Sequence, residues 1–247
     1  RPLGVPGQGE GDLMNWDTFV AQLLRFFSPQ NLPLLFQAIG MTLALTAIGC
    51  GIGFVLAMLI SAGRQATGWA GLPFRIVSIG FVEVFRRIPF LVVTYLVLFF
   101  IAAFVKGASL FFVAITAICI YATAYMSEII RTGIESVPRQ QIEAAAAMNF
   151  SRWRTLVDVI FPQALPVAIP PAIAFMVAFI KDTSLVSQIG VFELAFRGKE
   201  LVNKGMSGLF VFGIIAVIYF LLSYPLTRLG RYLENRVASS RGQGTRR

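Results

Sequence analysis

Ser136-Val137-Pro138-Arg139-Gln140-Gln141-Ile142-Glu143-Ala144-Ala145-Ala146-Ala147-Met148-Asn149-Phe150-Ser151-Arg152-Trp153-Arg154-Thr155-Leu156-Val157-Asp158-Val159-Ile160-Phe161-Pro162 is a polar stretch set between apolar segments. Pro138 suits a first helical turn, where a missing N–H costs nothing. A short helix rich in Ala and Gln follows, with Glu143 in its middle. Asn149 is placed to close it in a left-handed conformation, and Ser151 to cap a second helix. In that second helix Trp153, Leu156, Val157 and Ile160 fall at i, i+3, i+4 and i+7, one apolar stripe. Arg152, Arg154 and Asp158 lie off the stripe, and Pro162 ends it. The expectation is a helix–bend–helix unit whose second half lies on a membrane surface.

The flanks decide the class. Of 247 residues, 57% are hydrophobic and 13% charged, and the mean hydropathy is +0.75. Soluble domains carry nearer a quarter of charged residues, so this is a polytopic membrane protein. In such a chain the net charge of +9 is a topology signal before it is a nucleic-acid footprint. There is no histidine, which excludes imidazole catalysis and His metal sites. Cys50 and Cys119 lie in apolar runs and read as buried thiols.

Residues 1–13 are Gly/Pro-rich and read as a disordered N-terminal segment or a cloning remnant, with Met14 a plausible start. Residues 14–33 offer Trp16, Phe19, Leu23, Phe26 and Phe27 to one surface, as an interfacial amphipathic helix would. Residues 34–230 form the transmembrane domain, all-α, with spans at about 34–60, 88–105, 107–127, 162–180 and 209–226. Gly49, Gly51 and Gly53 in the first span read as close-packing positions. Pro166, Pro170 and Pro171 read as breaks in the fourth. Residues 231–247 are a basic tail. Five spans put 14 of the 21 basic residues on the side of the opening stretch and of the tail. The positive-inside rule makes that side cytoplasmic and the N-terminus external.

Glu143-Ala144-Ala145, three residues, Asn149, nine residues, Val159, one residue and Phe161-Pro162 resembles the EAA loop of ABC importer permeases, E-A-A-x3-G-x9-I-x-L-P. Asn149, Val159 and Phe161 depart from Gly, Ile and Leu; Asn is the next-best left-handed residue, so the bend survives. Phe85-Arg86-Arg87-Ile88-Pro89-Phe90-Leu91 is similar to the F-R-G-T-P-L-L of the polar amino acid permeases. Residues 124–138 follow their A-Y-x-A-E-I-x-R-G-G-I-x-S-V-P, and Lys181-Asp182-Thr183-Ser184-Leu185 is their K-D-T-S-L. The likeness covers roughly residues 34–230. It implies a five-helix type I importer permease in a bacterial inner membrane, coupled by its EAA loop to a separate ATPase dimer that holds ATP and Mg. It further implies a second permease subunit and an external solute-binding protein, no cofactor on this chain, no nucleic-acid partner, and a transport role in place of catalysis.

The same resemblance places ATPase coupling on Gln141, Glu143, Ala144, Ala145 and Asn149. Charged or pocket-forming residues near the membrane are the candidates for the path or a gate: Glu83, Arg86, Ala174, Phe175, Lys181 and Asp182. For Glu83 the structural alternative is an ion pair with Arg86; for Lys181 and Asp182 it is helix capping. Glu128 and Arg131 read as a structural pair. Ala174 stands where the family often has Asn. The fourth span therefore offers no side-chain donor at mid-membrane, and this favours a different, partner permease chain as the source of polar groups, the alternative being a cargo with a substantial apolar portion that packs on Phe175 and Met176. The competing class is an ion-gradient-driven secondary transporter or channel, whose mark would be inverted repeats with paired broken helices; no repeat is found. No nucleotide-binding G-x-x-x-x-G-K-[S/T] occurs.

Overall fold

The computed structural model describes residues 16–65 and 68–242. The readings for residues 1–13 and for the last five residues of the basic tail lie outside the described residues. Among the described residues there are ten α-helices and no strand. They are α1 (Trp16–Phe26), α2 (Leu32–Arg64), α3 (Leu72–Phe85), α4 (Phe90–Phe104), α5 (Leu110–Glu135), α6 (Arg139–Ala147), α7 (Arg152–Arg154), α8 (Phe161–Asp182), α9 (Leu194–Asn203) and α10 (Gly208–Gly242). Four stretches are long and apolar enough to cross a membrane: Leu32–Arg64, Leu110–Glu135, Arg152–Ile189 and Gly208–Asn235. Helices α3 and α4 pass the same test only as a pair, bent by 115°.

That bend replaces the straight span read at 88–105. Pro89 has no N–H and disfavours helix at Ile88 before it. Its own backbone is extended, at φ −57° and ψ 139°. Helix α3 therefore closes on Arg86 and Arg87, and the chain restarts in a new direction as an elbow.

Two readings of the polar stretch and the fourth span are corrected. Pro162 does not end the second helix. Helix α7, a π-helical turn over Thr155–Ile160, and α8 run on as one piece. The wide bond from Phe161 N–H to Leu156 C=O shifts the register just before Pro162, so the missing proline N–H does not stop the chain. Likewise Pro166, Pro170 and Pro171 lie inside an unbroken α8. Each removes one donor, a loss tolerated at membrane depth where the helix is buried in protein or lines a cavity.

Helix α5 is the core, packed by α2, α3, α4 and α8. Small residues set the distance of closest approach to α2. A Cβ added at Gly53 would lie 2.7 Å from the Ala122 Cβ and 3.2 Å from the Thr123 amide nitrogen, and one at Gly49 would overlap Ile118. Gly51 faces nothing within 4 Å, so the close-packing reading holds for two of the three glycines. Cys50 and Cys119 are buried free thiols.

A second apolar cluster joins Phe26 and Leu35 to Leu194, Leu201, Met206, Phe210, Val211 and Ile215. Helix α1 thus does more than lie at an interface. Phe19 packs on Phe210 at 5.4 Å, while Trp16 and Leu24 on its other side stay exposed.

Candidate functional site

Helix α6 begins after extended Pro138 (φ −59°, ψ 135°). It ends as Asn149 turns left-handed at φ 58°, and the Phe150 N–H reaches back to Ala145 C=O at 3.0 Å. Ser151 then caps α7, its Oγ accepting from the Arg154 N–H at 3.3 Å. Asn149 and Ser151 sit as their chemistry dictates. Gln141, Glu143 and Ala144 are exposed along α6. Ala145 is not: it is 1% exposed, and α6 rests on the chain's own Thr155–Ile160 turn. The two alanines therefore face opposite ways, and of the pair only Ala144 is offered outward.

The elbow between α3 and α4 brings several path residues together. Glu83 pairs with Arg87, not with Arg86: Arg87 donates from Nε at 3.0 Å and from NH2 at 2.6 Å. The i+4 spacing reaches along one face, whereas Arg86 is turned toward α5. There its guanidinium lies 3.6 Å from a Glu128 oxygen and 5.5 Å from the Tyr125 ring centre, within cation–π range. The Tyr125 hydroxyl donates to the Arg86 carbonyl at 3.2 Å. On its other side Tyr125 stacks on Phe175 at 5.5 Å and 24°. Phe175 continues to Phe179, and Phe179 to Phe90 at 4.9 Å. Glu83, Arg86, Arg87 and Tyr125 line a cavity of about 220 Å³.

Of the sequence candidates, then, Glu83, Arg86 and Phe175 gather around Tyr125, a residue the sequence reading gave no role beyond its place in the motif at 124–138. Ala174 is exposed on α8 beside this group. Lys181 and Asp182 are not part of it. They are exposed at the far end of α8 and form no salt bridge with each other among the described residues. The helical capping expected of Asp182 is not made by its side chain. Thr183 donates instead to the Ile180 carbonyl at 2.7 Å, a bond back into the preceding turn that uses up the hydroxyl.

Glu128 is more than one half of a pair. Its Oε1 accepts from Arg131 Nε and NH2 at 2.9 and 2.6 Å, and its Oε2 accepts from Arg64 at 2.8 Å. Arg131 also pairs with Glu135.

The sequence reads at 181–205 as a polar loop with a short helical piece; the structure makes that piece α9 and buries a polar group there that the sequence reading missed. Glu193 and Arg197 are 0% and 1% exposed. Glu193 accepts from the Phe196 N–H and the Tyr219 hydroxyl, each at 2.8 Å. Arg197 bonds Glu200 at 2.8 Å and the Asn31 side-chain oxygen at 2.6 Å. The period of Leu194, Arg197, Gly198 and Leu201 was the available signal for a helix with one face buried.

No group of three or more metal-ligating side chains occurs among the described residues. Residues 66–239 match the family described as binding-protein-dependent transport system inner membrane component. The glutamine transport system permease protein GlnP of Escherichia coli K12 is 32% identical over 208 residues, covering 83% of this chain and 94% of GlnP. The inner membrane amino-acid ABC transporter permease protein YhdY of the same strain is 31% identical over 211 residues, or 82% of this chain, and the match spans 56% of that longer protein. A crystal structure of an amino acid ABC transporter with histidines superposes with a TM-score of 0.77 at 27% identity, covering 88% of this chain and 98% of that one.

The buried group gives a pH test. Burial pushes the Glu193 carboxyl above the usual carboxylate range, against the pull of its hydrogen-bond donors. A carboxyl raised in the folded state contributes stability that is full below the unfolded value of about 4.3 and is lost as pH rises through the folded value. Glu193→Gln cannot ionise and escapes that loss. The unfolding midpoint of the wild type in detergent is expected to fall relative to Glu193→Gln as pH rises from about 4.3; curves that stay parallel would contradict it.

Proposed function

The chain belongs to the family of binding-protein-dependent transport system inner membrane components, and from that premise we propose that it is the membrane-spanning subunit of an ATP-driven importer for polar amino acids or related small zwitterions. It is a transport subunit and not an enzyme. Hydrolysis, with its ATP and Mg, belongs to partner ATPase subunits, and an external solute-binding protein delivers the cargo to a pair of permease subunits. The exposed α6, held between Pro138 and left-handed Asn149, carries this reading. A short helix anchored at both ends by backbone geometry moves as a lever when a partner pushes on it. Gln141, Glu143 and Ala144 make the contact; Ala145 and Asn149 hold the lever to the rest of the chain.

The path runs past Arg86, Tyr125 and Phe175. A zwitterion at mid-membrane needs a partner for each charge, because an unpaired charge there costs several kcal/mol. Arg86 suits a carboxylate, Glu83 an ammonium, and the Tyr125–Phe175 stack the apolar stem of the cargo. The cavity at the elbow thus supplies the donors that α8 lacks. Those groups offer a source on this chain beside the second, different permease subunit expected from the sequence. Lys181 and Asp182, exposed at the far end of α8, stay candidates for the outer gate. The loop around α6 lies in the cytoplasm with the C-terminus, and α9 lies toward the outside, as the distribution of arginines favours.

Two experiments test these proposals. Ala144→Glu places a bulky charge on the outward side of α6. It should leave the chain inserted in the membrane but weaken docking by at least about tenfold, so that stimulation of the ATPase is lost; undiminished stimulation would sink the coupling role. For orientation, Asn203→Cys should be labelled by an impermeant thiol reagent on intact cells. Arg139→Cys should react only after permeabilisation. Both positions are exposed and the two native thiols are buried, so the reverse pattern would overturn the topology.

A further inference from the structure

A further recess among the described residues lies apart from the elbow cavity and behind the outward side of α6. It is a groove of about 690 Å³ between the α2–α3 corner and the inner side of the α6–α7 loop. Phe74, Ile142, Ala146, Trp153, Leu156 and Ile160 make its apolar walls, and Arg152 lines it beside them. Several of these walls face open space: Trp153 is 65% exposed and Phe74 52%. An apolar recess of this size is costly against water and suits an apolar occupant.

Three observations identify the occupant. The first is position. Phe74 belongs to α3, which also exposes the large apolar residues Leu72, Ile76, Val77 and Val84, with the charged Arg75 and Glu83 between them. That surface suits acyl chains, and it is continuous with the groove. The second is the Trp153 ring, amphipathic and half out of the groove, the side chain favoured at the membrane–water boundary. The third is charge. Arg152 is exposed and pairs with no carboxylate among the described residues, while neighbouring Arg154 is taken by Asp158 at 3.2 Å. A free guanidinium over an apolar slot, on the basic side of the membrane, is the arrangement that binds an anionic headgroup above its tail.

We propose that this groove is a binding site for an anionic phospholipid, with one acyl chain along Phe74, Leu156 and Ile160 and the phosphate at Arg152. The chain would lie under Ile142 and Ala146, against the inner side of α6, and so would support the coupling helix from the membrane side. The proposal rests on the cytoplasmic placement of the α6–α7 loop.

The test uses the full chain in nanodiscs of phosphatidylcholine, with Trp16→Phe and Trp69→Phe leaving Trp153 as the one tryptophan of the three. A minor share of the lipid is replaced by brominated phosphatidylglycerol or by brominated phosphatidylcholine, and quenching of Trp153 is read. One arginine near the surface should favour the anionic lipid about fivefold. Arg152→Gln should remove that preference and keep the quenching by either lipid. Ala146→Phe, which fills the slot, should reduce quenching by both. Equal quenching by the two lipids in the unmodified groove would overturn the site, as would a preference that both variants leave unchanged. If a segment of the ATPase fills the groove instead, adding the ATPase subunit would abolish quenching by either lipid, which also overturns it. Failure here with Arg139→Cys still shielded in intact cells would remove only the lipid site; labelling of Arg139→Cys from outside would remove the placement itself.

Discussion

One carboxylate ties the parts of this chain together. Glu128, near the end of α5, accepts from Arg64 at the end of α2 and from Arg131 one turn further along α5, and has Arg86 of the elbow 3.6 Å away. An ionised carboxylate accepts several bonds at once, and each guanidinium brings a rigid fork of donors. Arg86 closes α3 and is held between this carboxylate and the Tyr125 ring. Glu135 takes the remaining charge of Arg131. Helix α5 then runs on to Ser136 and Pro138, the entrance to α6. The elbow, the core helix and the coupling loop are thus in one mechanical line.

The close approach of α2 and α5 makes that line stiff. Gly53 against Ala122 and Gly49 against Ile118 bring the two backbones together where lipid offers no hydrophobic drive to do so. On the far side of α5 the aromatic series Tyr125, Phe175, Phe179 and Phe90 links it to α8 and α4. A cargo moving past Tyr125 would therefore bear on a helix that continues, one rigid turn after another, into the contact proposed for the ATPase.

Local chemistry was legible in the sequence, and long-range geometry was not. Asn149 and Ser151 could be placed because left-handed turns and caps are decided within a few residues. The apolar spans were legible from composition. Pro162 misled because a π-helical turn two residues earlier absorbs its missing donor, and no local pattern announces such a turn. The prolines of α8 misled for another reason: the helix runs through them unbroken, since lost donors are tolerated where a helix is buried in protein or lines a cavity. For Glu83 the ion-pair alternative to a path role was Arg86 at i+3; the partner it has is Arg87 at i+4, while Arg86 turns toward α5. Residues 181–205 read as a polar loop with a short helical piece, and nothing local marked Glu193 and Arg197 as buried. Their burial depends on Tyr219 and Asn31, which lie 26 and 166 residues away from them. Tyr125 stood in the motif at 124–138 without a role, because its partners Arg86 and Phe175 are brought to it only by the fold.

The central claim is that this chain itself lines the path, at the stack of Tyr125 and Phe175 beneath Arg86. The most direct measurement is uptake by the assembled importer in proteoliposomes, with a panel of labelled amino acids of different side-chain size and polarity, comparing the wild type with Phe175→Ala. The account predicts a changed order of preference among them, because the apolar wall that holds the cargo's stem is removed while Arg86 and Glu83 remain. An unchanged order with unchanged apparent affinities would contradict it and move the recognition of cargo to another chain.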